Sequence, residues 1–315
     1  MIISASRRTD IPAFYSDWLF HRLKAGFADV RNPMNPHRIS RIAFTPDVVD
    51  GIVFWTKNPL PMLRHLDALK HYAYYFQFTL TPYGKDIEPF LPDKREILIP
   101  AFCALSRKIG KERVVWRYDP ILFNGTYTMD YHLKTFEEMA KTLSPFTETC
   151  TVSFLQTDYK STKRNAALLQ SATPSTAQKE TLLRQLAQIA AGYGITLETC
   201  AQAFDYRKLG IRPAKCIDAQ RLERSGGYSL QIKKDPNQRP DCGCAASVDI
   251  GAYNTCKNGC LYCYANYNEP LVRKNFALHD PLSPLLIGRQ DEKDVLHIRP
   301  AASQRSSQPR LPGCE

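Results

Sequence analysis

An α/β protein built on parallel strands is the fold class the sequence predicts, and three observations carry it. Short runs rich in β-branched and aromatic residues recur through the first 200 residues. Segments with helical periodicity lie between them. The runs end in Arg, Lys, Gln, Asp and Glu rather than in the Gly, Ser and Asn of simple turns. Strands alternating with helices pair in parallel through right-handed crossovers, so the sheet is doubly wound or a barrel. The polar strand ends favour a (β/α) TIM-type partial barrel, whose site is assembled at the C-terminal ends of successive strands.

The elements follow in order. Residues 2–6 (Ile-Ile-Ser-Ala-Ser) form a strand before Arg7-Arg8-Thr9-Asp10, and 14–27 a helix with Trp18, Leu19, Arg22 and Leu23 in register. Residues 51–55 are the next strand, ending in Thr56-Lys57-Asn58-Pro59, with a helix at 60–71. Strands 74–78 and 113–116 precede Thr79-Leu80-Thr81-Pro82 and Arg117-Tyr118-Asp119-Pro120. Helix 129–143, strand 151–155 before Gln156, helix 175–191 with a Ser175/Gln178 capping box, and strand 194–197 before Glu198 complete the series.

After residue 200 the composition shifts to Pro, Gly, Cys and charge, which divides the chain into barrel elements at 1–200, a Cys-rich region at 201–300 and a tail at 301–315. The tail has too little apolar content to fold alone, and its Cys314 reads as no ligand. Residues 247–253 form a seventh strand candidate. No stretch approaches the roughly 18 apolar residues a membrane span needs, and the N-terminus lacks a secretion layout, so the expected location is cytoplasmic. In a reducing compartment ten cysteines point to metal binding or chemistry rather than disulfides. A net charge of +11 suits nucleic acid, anionic cofactors or phosphorylated substrates and selects none of them.

The most informative motif is Cys256-x3-Cys260-x2-Cys263 on one short loop. Three thiolates hold three irons of a four-iron cluster and leave the fourth iron open to a small molecule. Cys200, Cys216, Cys242 and Cys244 are candidates for a second, fully ligated [4Fe-4S] cluster or a zinc site, the alternative being that Cys200 and Cys216 are small buried apolar residues.

With Tyr262 just before its last cysteine, the loop resembles the signature of the radical S-adenosylmethionine (radical SAM) superfamily, and Cys-Leu-Tyr-Cys-Tyr-Ala is similar to the wording in its spore-photoproduct-lyase-like branch. The whole chain is similar to a bacterial and archaeal family of domains of unknown function with such C-terminal cysteines. The resemblance implies that Cys256, Cys260 and Cys263 ligate a [4Fe-4S] cluster whose fourth iron is chelated by the amino and carboxylate groups of S-adenosyl-L-methionine. It implies reductive cleavage to a 5′-deoxyadenosyl radical, Tyr262 at the adenine end, and a small electron donor such as flavodoxin or ferredoxin as partner. In the superfamily the signature follows the first strand; here it follows the last. A circularly permuted barrel accommodates this if strand 247–253 lies beside strand 2–6.

That chemistry asks for a cation for the cofactor carboxylate, for which Arg7, Lys57 and Arg117 are candidates, and for ribose partners, for which Gln77, Gln156 and Glu198 are. Asp10 and Asp119 are the acid/base candidates. The plainer reading makes Arg117 and Asp119 a mutual salt bridge, and Trp55, Tyr75 and Trp116 core. Two other classes stay open: a metal-stabilised nucleic-acid-binding protein, and an electron-transfer module. A nucleic acid, a nucleotide, a peptide or a small metabolite is the candidate substrate.

Overall fold

The computed structural model describes residues 1–200, 206–239 and 241–306. Its strands are β1 (Ile2–Ala5), β2 (Phe27–Arg31), β3 (Arg38–Ala43), β4 (Gly51–Thr56), β5 (Tyr74–Thr79), β6 (Val114–Ile121), β7 (Thr149–Phe154), β8 (Thr196–Thr199), β9 (Arg212–Pro213), β10 (Ser247–Asp249) and β11 (Val295–Ile298). Eight of them make one parallel sheet in the order β10-β1-β4-β5-β6-β7-β8-β9. Ile2, Ile3 and Ser4 of β1 pair with Ser247, Val248 and Asp249, so the late strand lies beside the first one, as the sequence predicts. The sheet is open, with β10 and β9 as its edges; no pairing joins them among the described residues.

The period of two along each strand sorts side chains onto two faces. One face, with Ile3, Ile52, Phe54, Phe76, Val114 and Trp116, packs on the helices in the main core. The other, with Ile2, Val53, Tyr75 and Val115, packs on Cys216, Ile217, Leu222, Cys242, Cys244 and Ala245. Alternation then puts Trp55, Gln77, Arg117 and Asp119 on this second face, toward the Cys-rich region.

The helices Met129–Leu143 and Thr176–Gly192 form where the periodicity predicts, the latter with its Ser175/Gln178 capping box. The helix expected over 14–27 breaks at Tyr15 into Ile11–Phe14 and Ser16–Ala25, and Gly26, at φ 78°, ends it in a left-handed cap. That expected over 60–71 is two short pieces, Leu60–Leu63 and Leu66–Leu69. A helix at Ile99–Ile109 and a second sheet, β11-β3-β2, are additions that sequence reading does not supply.

The expected disordered tail is corrected for residues 301–306. Buried Asp50 accepts from Ser303 Oγ at 2.6 Å and from the Gln304 amide at 2.9 Å, and Arg305 donates to the carbonyl of Val49 at 2.9 Å. Residues 307–315, with Cys314, lie outside the described residues. No helix among the described residues is long and apolar enough to cross a membrane.

Candidate functional site

A cavity of about 790 Å³ opens at the C-terminal ends of β1, β4, β6 and β7. Parallel strands end on one side of their sheet, so the polar residues that follow them converge there. Arg7, Asp10, Lys57, Arg117, Asp119, Gln156 and Tyr262 all line it, together with all seven cysteines singled out from the sequence. Cys103 and Cys150 are buried elsewhere.

β10 delivers the three-cysteine loop. Asp249 at its end accepts from Ser4 Oγ, Ser6 Oγ and the Arg7 amide at 2.7, 2.7 and 2.8 Å, fixing the start of the loop to the end of β1. Asn254, at φ 55°, gathers the amides of Tyr267 and Asn268 on its Oδ1, and Tyr15 donates its hydroxyl to the Thr255 carbonyl at 2.6 Å. Gly259 turns the chain at φ 68°, with the Phe90 ring where a Cβ would sit. Burial pushes all three thiols up, Cys260 to about 12 against the opposing pull of Lys57.

Beneath this loop lies a buried ionic network. Lys57 Nζ donates to Glu88 Oε1 and to the Tyr262 hydroxyl, both at 2.7 Å; Lys94 and Tyr262 also contact the Glu88 carboxylate, and Thr81 donates to it at 2.8 Å. Burial alone would raise the Glu88 carboxyl, but Lys57 and Lys94 outweigh it and hold it down to about 2. Asp10 accepts from the Lys57 amide at 2.8 Å and from Asn258 Nδ2 at 3.2 Å, while its Oδ1 caps the helix at Ala13. Burial nevertheless raises Asp10 to about 6.

The four other cysteines converge on the second face of the sheet. Cys200 and Cys216 Sγ are 3.2 Å apart, Cys216 is in bonding range of Cys244, and Cys244 of Cys242. Arg117 Nη1 donates to Cys216 Sγ at 3.1 Å and the Ile217 amide to Cys244 Sγ at 3.4 Å. The Cys200 and Cys244 sulfurs beside it, with the Arg117 guanidinium, pull the Cys216 thiol well below its usual range.

Several sequence assignments change with this geometry. Gln77 and Glu198 do not line the cavity: Gln77 spends its amide on the Cys216 carbonyl at 3.1 Å and on Arg117, and Glu198 pairs with Arg221 at 3.4 Å. Arg117 and Asp119 form the salt bridge of the plainer reading, with Ser153 on the far oxygen of Asp119. Tyr75 and Trp116 are core, but Trp55 is half-buried at the cavity wall with the Arg7 guanidinium 5.6 Å from its ring. Arg7 Nη2 is buried and has no hydrogen-bond partner. Sequence reasoning missed Glu88, Lys94, Asp249 and Asn258; of these Asp249, in the seventh strand, and Asn258, between Cys256 and Cys260, sat in segments already singled out.

A tetrahedral ion with metal–sulfur bonds of about 2.3 Å needs sulfurs about 3.8 Å apart. Among the described residues no three of these sulfurs come within 4.8 Å of one another, so the loop thiols do not form a single-ion site. Asp10, in the electrostatic field of Cys256, has both oxygens engaged and completes no shell. Three thiols are the donor type and number that a four-iron cluster with one open iron would take.

Comparison with known proteins gives little beyond a family. No curated protein matches the chain. A crystal structure described as a "putative alpha-L-fucosidase" from Bacteroides thetaiotaomicron is 12% identical, with a TM-score of 0.27 over 74% of this chain and 86% of that one, a likeness too slight to carry any inference. The match to a family model is extensive: it runs over residues 2–265, from the first residue of β1 to just past Cys263, and so takes in the cavity strands and both groups of cysteines. The chain belongs to that family, described as a domain of unknown function, DUF1848.

Proposed function

We propose that this chain is a radical SAM enzyme in which Cys256, Cys260 and Cys263 hold a [4Fe-4S] cluster, on a circularly permuted TIM-type partial barrel with β10 as its first strand. The observation that carries the reading is that the loop after β10 brings Cys256, Cys260 and Cys263 together to the cavity at the strand ends. When bound, the cluster and S-adenosyl-L-methionine would supply reductive C–S cleavage and a 5′-deoxyadenosyl radical.

The chain's own residues position and polarise that site. Lys57 keeps a positive charge close to Cys260 and locks the Tyr262 hydroxyl onto Glu88, so Tyr262 orients the loop through its hydroxyl. With Lys57 and Arg117 already paired, Arg7 Nη2 is the guanidinium group available to an incoming carboxylate. Gln156, exposed at the end of β7, is available to ribose hydroxyls. The lining carries seven Arg and Lys against four Asp, which favours an anionic substrate such as a nucleotide. A cluster of this kind suits a reducing cytoplasm, and the basic chain an acidic electron donor of flavodoxin or ferredoxin type.

Iron and sulfide content tests the cluster. Anaerobically purified Cys256→Ala, Cys260→Ala and Cys263→Ala variants are expected each to lose the iron and sulfide of one four-iron cluster per chain. Full retention in all three sinks the reading.

A further inference from the structure

We propose that Cys200, Cys216, Cys242 and Cys244 form a second metal centre, closed by four thiolates and separate from the open three-cysteine loop. The sulfurs run in one connected series, Cys200 to Cys216 to Cys244 to Cys242, although the residues come from β8's end and from two places 26 to 28 positions apart in the Cys-rich region. An unrelated set of core thiols has no reason to converge in this way. Cys103 and Cys150, by contrast, are buried outside this series.

The surroundings are built for anionic sulfur. The buried Arg117 guanidinium donates to Cys216 Sγ at 3.1 Å, and is held there by Asp119 and by Gln77 Oε1 at 3.3 Å. The Ile217 amide donates to Cys244 Sγ at 3.4 Å, and Gln77 and Tyr75 both brace the Cys216 carbonyl, at 3.1 and 2.8 Å. Hydrogen bonds from a guanidinium and an amide favour thiolate, the form that binds metal. A thiolate-only shell disfavours harder ions, and with no three of these sulfurs within 4.8 Å of one another an iron–sulfur cluster, not one tetrahedral zinc, is the occupant.

The segment that carries these cysteines also needs a staple. Between 206 and 246 the described backbone holds one helix of eight residues, a three-residue 3-10 turn and a two-residue strand, yet it covers the second face of the sheet. Bound metal supplies the free energy that such irregular backbone lacks. Four sulfur donors leave no position for substrate, so this centre anchors the cavity wall or relays electrons rather than binding S-adenosyl-L-methionine.

The inference stands whether or not the loop performs radical chemistry, and metal counting separates the two. A Cys256→Ala/Cys260→Ala/Cys263→Ala variant is expected to retain iron with equimolar sulfide. A Cys216→Ala/Cys244→Ala variant is expected to lose that same increment and keep the iron of the loop. Because the double variant removes buried groups, the wild-type chain supplies a second readout. Alkylation of Cys200, Cys216, Cys242 and Cys244 is expected to rise at least tenfold once a chelator strips the metal, with the fold retained by circular dichroism. A metal-free loop variant, or labelling indifferent to the chelator, overturns the proposal.

Discussion

Glu88→Gln removes the charge at the centre of the network under the three-cysteine loop while keeping the side chain's shape. Glu88 is 1% exposed, and its carboxylate faces Lys57 at 2.7 Å and Lys94. Holding a carboxyl at about 2 rather than 4.5 is worth about 3 kcal/mol at neutral pH, at about 1.4 kcal/mol per pH unit. Breaking a buried pair by deleting one partner typically costs about 3–5 kcal/mol, which agrees. For 315 residues the unfolding entropy is about 0.7 kcal/mol per kelvin, so the melting temperature is expected to fall by about 5 °C. The sign follows from linkage: Glu88's folded-state value is depressed, so its contribution is present above about 4.5 and is lost as pH falls through about 2. Urea denaturation at pH 7 and pH 3 is the assay, with the gap between wild type and variant shrinking to less than half at pH 3. A gap below about 1 kcal/mol at pH 7, or one that is independent of pH, refutes the reasoning.

His132 should show the complementary pH response. Its ring is wholly buried between the Tyr118 hydroxyl and the Leu122 carbonyl, each at 2.8 Å, and burial lowers it to about 4. The unfolded chain therefore takes up the proton first, and up to about 3 kcal/mol of stability is lost as pH falls from about 6.5 through 4. His132→Gln is expected to flatten that acid limb in thermal melts, and an unchanged slope would contradict it. Gly259→Ala puts a methyl group at φ 68° and 2.4 Å from the Phe90 ring. Phe90 is 63% exposed and can swing aside, which leaves the left-handed strain, about 1–2 kcal/mol, to fall on the loop. Iron per chain is expected to drop with little change in global melting, and full occupancy would show that the turn is not needed for binding.

Five of the six main early strands were legible because each is a short run buried largely on both faces, while β8 alternates; because parallel strands end together, most of their polar followers fell on one cavity. The partnership of β10 with β1 was legible from the loop's place in the chain rather than from local pattern. The β11-β3-β2 sheet was not, since β11 pairs with β3 across more than 250 residues and its exposed edge has no strong alternation. Gln77 and Glu198 were of the right type at the right strand ends, but residues of the irregular segment, Cys216 and Arg221, claim their side chains. Glu88 lies in a turn-rich stretch after β5, where nothing local distinguishes a buried carboxylate with two lysines from a solvated one. The end segment at 301–306 looked too polar to fold because its anchor, Asp50, sits far away in sequence.

The most direct measurement is product formation by the reconstituted chain: iron and sulfide loaded anaerobically, S-adenosyl-L-methionine and dithionite added, and 5′-deoxyadenosine followed by chromatography and mass. Wild type is expected to form it and Cys260→Ala to form none. An intact, reducible cluster that yields no 5′-deoxyadenosine would contradict radical SAM chemistry at the Cys256, Cys260, Cys263 loop.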